Sequence, residues 1–178
     1  MDVVKIIVHG AFSSGKTSLI RALSEREVVW VNFVIDRDRP DDIHGMYFGL
    51  MKDEENDLAL VFLGAPGPRR FTVSWQVAQH NMLGYVIMVD SAYPGIFREA
   101  KYIIAYFKEH SPQPFVVAAN KQDKAGAWAP HDLRIALDIP PEIPVIPCVA
   151  TDKESAKRVL VALLDEVLKR AGVNNLDV

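Results

Sequence analysis

Cysteine is almost absent from this chain, since Cys148 is its only one in 178 residues. No disulfide can therefore form within the chain. Because apolar residues flank Cys148, we interpret it as a small core residue rather than a catalytic thiol. A single cysteine suits a reducing compartment, so we expect a cytoplasmic protein.

Long apolar runs are missing as well. The chain contains no stretch of about 18 apolar residues, so we predict no integral membrane segment. The amino terminus has no basic region followed by an apolar run, which argues against a secretory signal peptide. We also expect no lipid anchor, because position 2 is not glycine and the last residues do not form a prenylation motif.

A large charge of one sign is the third absence. The 20 basic residues face 23 acidic ones, which gives a formal net charge of -3. This balance argues against broad electrostatic binding to nucleic acid or to an anionic membrane, so we expect neither as a partner. The basic pair Arg69 and Arg70 is interpreted as solvated surface.

What the chain does contain is a regular alternation of short apolar runs with helical patterns. Strands are predicted at 3–8, 46–51, 58–63, 85–89, 115–119 and 143–148. Helices are predicted at 18–24, 75–82, 100–107, 130–137 and 155–169, and 28–35 is either a strand or an ordered switch segment. This order predicts an α/β fold in a single domain, residues 1–178. Its sheet is mostly parallel with one antiparallel edge from the hairpin at 46–63, and helices cover both faces.

The segment from Gly10 to Thr17 reads GAFSSGKT and matches the phosphate-binding pattern G-x-x-x-x-G-K-[ST]. Glycines let the backbone curl until several N–H groups point at phosphate oxygens, and the positive end of the following helix adds to that field. Lys16 would reach the β- and γ-phosphates and act in catalysis, and the Thr17 hydroxyl would bind Mg²⁺.

The predicted phosphate contacts form one continuous stretch of loop and helix. They are Gly10, Ser13, Ser14, Gly15, Lys16, Thr17 and Ser18. The alternative is a glycine turn between strand and helix that binds nothing. A predicted strand before the pattern and a predicted helix after it favour the binding site.

Asn120-Lys121-Gln122-Asp123 follows the strand at 115–119 and resembles the NKxD motif of guanine-nucleotide-binding proteins. The Asp123 carboxylate can accept hydrogen bonds from the guanine N1–H and 2-amino group together, a donor pair that adenine lacks. Lys121 would lay its aliphatic stem along the base. Asn120 would tie the base loop to the phosphate loop. The alternative for this segment alone is an ordinary polar turn.

Together these motifs resemble those of the Ras-like small GTPases, over nearly the whole chain. The resemblance implies a P-loop fold of the Ras-like G-domain type that binds GTP or GDP with Mg²⁺. The segments 62–67 and 114–120 are similar to the prokaryotic branch, which includes gliding-motility GTPases and those encoded beside roadblock-domain proteins. By the same resemblance, Ala150 would offer its backbone N–H to the guanine O6, with Thr151 beside it. A plain loop after a strand is the alternative there.

Three features of the family are missing from this sequence. Gly64 stands where an aspartate would hold Mg²⁺ through water. Gly67 keeps the glycine whose N–H would donate to a γ-phosphate, but Pro68 replaces the glutamine that orients the attacking water. No threonine or serine lies between Ser24 and Thr72, so the usual switch threonine is absent.

Several residues are candidates to replace the missing groups, and for each the simpler interpretation is an exposed side chain. Charge stabilisation could come from Arg37, Arg39, Arg69 or Arg70, water positioning from Gln76 or Gln79, and a metal contact from Asp41 or Asp42. Trp30 and Phe33 could stack on the base, face a partner or pack into the core, and core packing is the expected outcome.

Three hypotheses about function follow. The first is a GTP/GDP molecular switch with slow or partner-assisted hydrolysis, whose partner would be an effector or an activating protein of the roadblock type. The second is a catalytically degenerate scaffold that holds guanine nucleotide and acts through protein contacts. The third, a P-loop kinase, has no need of the segment from Asn120 to Asp123 and would prefer ATP.

Overall fold

The computed structural model describes residues 2–34, 43–64 and 82–172, without the side chains of residues 33, 34, 43 and 44. Its strands are β1 Asp2–Gly10, β2 Val29–Val34, β3 Ile43–Asp53, β4 Leu58–Gly64, β5 Met82–Asp90, β6 Phe115–Asn120 and β7 Val145–Pro147. Its helices are α1 Lys16–Leu23, α2 Phe97–His110, α3 Pro130–Ala136 and α4 Lys153–Arg170. A 3-10 turn, Pro94–Ile96, leads into α2.

The strands form one seven-stranded sheet in the order β2-β3-β4-β1-β5-β6-β7. β1 pairs in parallel with β4 and β5, and β6 pairs in parallel with β5 and β7. β3 runs antiparallel to both β4 and β2. The predicted fold class, a mostly parallel α/β sheet with an antiparallel side, is therefore confirmed. The edge strand β2 lies in the segment 28–35, for which the sequence allowed either a strand or an ordered switch segment.

Two hydrophobic clusters cover the two faces of this sheet. Successive residues of β1 belong to different clusters, because side chains alternate between the two faces of the sheet along a strand. Ile7 packs on the side of α2 and α3, with Ile103 and Leu133. Ile6 and Val8 pack on the side of α1 and α4, in a cluster that includes Leu19, Ile20, Val159 and Leu163. The predicted apolar stripe of the last helix belongs to this second cluster.

Most predicted elements are present with shifted ends. The first helix begins at Lys16 rather than at residue 18, because Gly15 is its N-cap and the helix starts directly after it. The last strand is only Val145–Pro147, since Pro144 and Pro147 leave few N–H groups for pairing. Met82 begins β5 and is not helical. The rest of the helix predicted at 75–82 lies outside the described residues.

The carboxyl ends of β1, β5 and β6 lie side by side at one edge of the sheet. The loops after these strands carry the two predicted motifs, which is the usual position of a ligand site in a parallel α/β sheet. Asp90 at the end of β5 pairs in register with Asn120 at the end of β6. In the described part of the chain, no helix is long and apolar enough to cross a membrane.

Candidate nucleotide-binding site

The loop between β1 and α1 needs glycine at two positions. Gly10 has a φ of 146°, and a Cβ there would lie 2.4 Å from the carbonyl oxygen of Met88. Gly15 has a φ of 104°, and a Cβ there would lie 2.1 Å from Nδ2 of Asn120. Both backbone angles disfavour any side chain, and the neighbouring atoms leave no room for one. Ser13 adds a third positive φ, of 58°.

The amino terminus of α1 is open for an anion. Gly15 is its N-cap, no side chain caps the helix, and its first turn carries no acidic residue. The free N–H groups and the helix dipole both favour a negative ligand at this end. A cavity of about 470 Å³ lies here, lined by Phe12, Ser13, Gly15, Lys16, Thr17, Ser18 and Tyr47. The predicted phosphate contacts Ser13, Gly15, Lys16, Thr17 and Ser18 thus line one cavity.

Lys16 is folded back onto the loop that precedes it. Its Nζ donates to the carbonyl oxygens of Gly10 at 3.0 Å and Ala11 at 2.7 Å. Burial lowers the pKa of Lys16 to about 8, and the nearby charge of Glu99 opposes this shift. A partly buried ammonium whose contacts in the described residues are two carbonyl oxygens is a site where a phosphate group would improve the electrostatics.

His9 lies directly before this loop and is fully buried. Its Nδ1 accepts the N–H of Gly10 at 3.2 Å, and its ring lies 5.0 Å from that of Phe107. Burial, with a contribution from the charge of Lys16, lowers the pKa of His9 to about 3. The imidazole is therefore neutral at physiological pH, and its neutral form supports the start of the loop.

The surroundings of Thr17 fit Mg²⁺ as part of a nucleotide complex. Mg²⁺ in such sites is held by one or two protein groups together with phosphates and water. Within the described residues, no three His, Cys, Asp or Glu side chains come together as a metal site. Thr17 lines the cavity beside Lys16, and its hydroxyl is an oxygen donor of the kind that Mg²⁺ takes, so it would supply one ligand position, with phosphate oxygens and water supplying the others.

A single buried amide joins the two motifs. Asn120 is 3% exposed, and its Nδ2 donates to the carbonyl of Ser14 at 2.8 Å. Its Oδ1 accepts the N–H of Ala150, also at 2.8 Å. Asn120 therefore holds the phosphate loop, the end of β6 and the loop after β7 in one arrangement.

The N–H of Ala150 is consequently already engaged. The resemblance assigned this N–H to the guanine O6, but it points to Asn120 in this structure. The next residue, Thr151, is exposed, and its N–H has no hydrogen-bond partner within the described part of the chain. The contact of Ala150 with a guanine base stays a prediction, and the structure adds that Asn120 holds its N–H.

Asp123 presents its carboxylate to solvent, with a side chain that is 45% exposed. Its nearest cation is Lys124, at 3.5 Å. Lys121 has a positive φ of 65°, and its Nζ forms an ion pair with Asp90. The carboxylate of Asp123 is thus accessible to a ligand, whereas the amine of Lys121 is fixed.

Gly64, where the family has aspartate, lies at the end of β4 against α1. A Cβ at Gly64 would lie 2.6 Å from Cδ1 of Ile20, which is fully buried. The packing of α1 on the sheet therefore leaves too little room for a Cβ at Gly64 unless Ile20 shifts. The remaining candidates lie outside the described residues, namely Gly67, Pro68, Arg37, Arg39, Arg69, Arg70, Gln76, Gln79, Asp41 and Asp42.

Two aromatic residues, on β2 and β3, were not predicted correctly. Tyr47 on β3 lines the cavity, a position that only the register of β3 opposite Gly64 reveals. Trp30 on β2 is 46% exposed, so the expected core packing is wrong for it. Its ring lies over Gly45 and contacts Tyr47 edge-on, with centroids 4.7 Å apart. The side chain of Phe33 is not described.

Cys148 agrees with its interpretation as a core residue. It is 1% exposed, and burial raises the pKa of its thiol to about 11. A thiol with so high a pKa carries almost no thiolate at neutral pH and is a poor nucleophile.

No family model matches this chain, and no curated protein resembles it at a significant level. The fold does match solved structures. The small GTPase Arl6 BBS3 from Trypanosoma brucei, with bound nucleotide analogue GppNp, superposes with a TM-score of 0.71 at 18% identity, covering 94% of this chain and 99% of that one. The G domain of the T. maritima FeoB iron transporter gives a TM-score of 0.68 at 16% identity, covering 93% and 99%. The chain therefore has the P-loop α/β fold of GTPase G domains.

Proposed function

We propose that this protein binds guanine nucleotides and acts as a GTP/GDP molecular switch with slow or partner-assisted hydrolysis. The observation that carries this proposal is a pair of hydrogen bonds, in which Asn120 donates to the carbonyl of Ser14 and accepts the N–H of Ala150. They fix a phosphate loop beside a base loop whose carboxylate, Asp123, is accessible. A plain glycine turn or polar turn would not need this buried connection.

The phosphates would bind along the loop from Gly10 to Ser18. Lys16 would exchange its two carbonyl contacts for oxygens of the β- and γ-phosphates, and backbone N–H groups at Ser13, Ser14 and Gly15 would hold the rest. Thr17 would bind Mg²⁺, which neutralises charge on the phosphate oxygens when it is bound. Gly67 would sense the γ-phosphate through its backbone N–H.

The base would bind between Lys121 and the loop after β7. Asp123 accepts from N1–H and the 2-amino group of guanine, and the stem of Lys121 lies along the ring. The N–H of Thr151 donates to O6, while Ala150 supports it through Asn120. Adenine would leave Asp123 without its donors, which disfavours ATP.

The cellular setting belongs to the same proposal. The protein is cytoplasmic and prokaryotic, and it works with an effector or an activating protein of the roadblock type. Because Pro68 offers no group to orient water, such a partner would supply what hydrolysis lacks.

A catalytically degenerate scaffold is the second candidate, and Gly64 is the observation that favours it. The side chain of Ile20 lies 2.6 Å from where a Cβ at Gly64 would be, so the packing of α1 disfavours an aspartate at this position. A protein of this kind would hold GDP or GTP tightly and act through protein contacts. Phosphate release in Mg²⁺ distinguishes the two candidates. Release that is lost in Lys16→Ala supports the switch, and no release above background supports the scaffold.

Calorimetric titration of nucleotide-free protein with GTP, GDP and ATP in Mg²⁺ tests the proposal. We expect micromolar or tighter binding of both guanine nucleotides and none of ATP. Equal or preferred binding of ATP would overturn the role of Asp123 and return attention to a P-loop kinase. A protein that binds no nucleotide would leave the fold as an interaction scaffold.

The Asp123→Asn variant sharpens this test. It replaces an acceptor by an amide donor, which matches the 2-oxo group of xanthine instead of the 2-amino group of guanine. We therefore expect GDP affinity to fall by at least tenfold and xanthosine diphosphate to bind in its place. Asp138→Asn is the matched control, because Asp138 is an exposed carboxylate paired with Lys101. Its affinity for GDP should equal that of the wild type.

A further inference from the structure

Asp90 is a buried carboxylate that none of the recognised motifs contains. It ends β5, is 5% exposed, and lies opposite Asn120 in the parallel pairing of β5 with β6. Its Oδ1 accepts the N–H of Ala92 at 3.1 Å, and its Oδ2 accepts from Nζ of Lys121. Burial of a charged group is unfavourable unless it is paired and hydrogen-bonded, so these two contacts offset the cost of burying the Asp90 carboxylate.

Lys121 is the residue whose position Asp90 restricts. Its backbone adopts a φ of 65°, which non-glycine residues rarely adopt without support from their surroundings. A free lysine side chain samples many rotamers, and a bond at Nζ limits them. The four-carbon stem between the backbone and Nζ is therefore fixed at both ends.

The segment after Asp90 is attached to the base loop by further bonds. Ser91 donates its N–H to the carbonyl of Asn120 at 3.0 Å, and Trp128 donates its N–H to the carbonyl of Ser91 at 2.8 Å. Gln122 donates from Nε2 to the carbonyl of Trp128 at 3.0 Å. The end of β5 thus holds the base loop at several points, and Asp90 is the residue of this segment that contacts Lys121.

We propose that Asp90 is a positioning residue for the nucleotide base, which acts by holding Nζ of Lys121 so that the lysine stem is ordered before the base arrives. This inference rests on the proposed function. A preordered stem reduces the entropy lost on binding, and the gain appears mainly as slower dissociation. Asp90 itself does not contact the nucleotide.

The test measures how fast N-methylanthraniloyl-GDP dissociates when excess GDP displaces it. We expect Asp90→Asn to dissociate about tenfold faster, the order of magnitude for releasing one long side chain. Lys121→Met keeps an aliphatic stem but loses the ion pair, and it should also dissociate faster. The double variant should dissociate no faster than Lys121→Met alone, because Asp90 acts only through Lys121.

Asp138→Asn provides the matched control, since it removes an exposed carboxylate from an ion pair away from the base loop. Its dissociation rate should equal that of the wild type. Lys121→Arg, which keeps a cation within reach of Asp90, should remain closer to the wild type than Lys121→Met does. The comparison of Lys121→Arg with Lys121→Met keeps the inference testable if Asp90→Asn does not fold.

Two outcomes would overturn the inference alone. One is a wild-type dissociation rate in Asp90→Asn, even if its melting temperature falls, since Asp90 would then serve stability only. The other is an additive effect of Asp90→Asn in the Lys121→Met background. Absence of GDP binding to the wild-type protein would instead overturn the proposed function, and this inference with it.

Discussion

At the scale of single residues, His9 shows how burial decides a role. It lies near the end of β1, directly before the phosphate loop, and its Nδ1 accepts the N–H of Gly10. In the structure it is fully buried and its pKa is lowered to about 3, first by burial and then by the charge of Lys16. Such a histidine stays neutral through the physiological range and contributes packing and one acceptor instead.

The pKa of His9 predicts a loss of stability in acid. The unfolded chain binds a proton at this side chain below pH 6.5, whereas the folded protein does so only near pH 3. Stability from this residue is therefore lost as the pH falls through that window. His9→Asn keeps an acceptor for Gly10 but cannot be protonated. Between pH 6.5 and about pH 4, the wild type should lose on the order of 3 kcal/mol more of its free energy of unfolding than this variant does.

Urea unfolding at a series of pH values measures this difference. His110→Asn is the control, because it makes the same substitution at an exposed position at the end of α2. If the free energy of unfolding depends on pH in the same way in the wild type and in His9→Asn, then His9 is protonated as easily in the folded protein as in the unfolded chain.

At the scale of elements, β2 is an edge strand that aromatic contacts hold in place. Trp30 covers Gly45, where a Cβ would lie 1.9 Å from Cζ2 of the ring. The same ring meets Tyr47, which lines the phosphate cavity. A large ring over a strand glycine stabilises strand pairing, so this contact links β2 to the wall of the cavity.

Gly45→Ala should therefore loosen β2 without unfolding the protein. The added methyl displaces the exposed Trp30 ring, so amide hydrogens of β2 should exchange at least tenfold faster while those of β1, β5 and β6 stay protected. Gly49→Ala is the contrasting variant, because its methyl would meet buried Ile20 at 2.5 Å. It should lower the melting temperature of the whole protein. Unchanged exchange in Gly45→Ala would show that Trp30 does not hold β2.

At the scale of the whole molecule, Asn120 connects segments that lie far apart in sequence. Ser14 is 106 positions from Asn120, and Ala150 is 30 positions away on the other side. The parallel order of β1, β5, β6 and β7 brings these three segments to one edge of the sheet. Both bonds are buried, so the loss of Asn120 would leave two backbone groups without partners.

Asn120→Ala should destabilise the protein even without nucleotide. Two lost hydrogen bonds and two unsatisfied backbone groups should lower the free energy of unfolding by about 3 kcal/mol. Gln122→Ala is the control from the same loop, since its bond to Trp128 is exposed and its loss should cost little. Urea unfolding of nucleotide-free protein measures both. Equal stability of the two variants would mean that Asn120 serves ligand binding alone.

The order of strands and helices was predictable because it depends on near neighbours along the chain. The alternation at Ile6, Ile7 and Val8 and the helical spacing from Val159 to Leu163 predict their elements directly. Gly10 and Gly15 are likewise predictable, because the loop needs backbone angles that other residues disfavour. The sequence by itself therefore determined the fold class and the identity of both candidate loops.

Only the tertiary structure decided how those loops are supported. The pairing of Asp90 with Lys121, the engagement of the Ala150 N–H by Asn120 and the position of Tyr47 on the cavity wall depend on strand order and register. A shift of one residue in register would turn the side chains of Asp90 and Tyr47 to the opposite face of the sheet. Contacts between distant segments follow from the packed sheet as a whole, and no local pattern in the sequence encodes them.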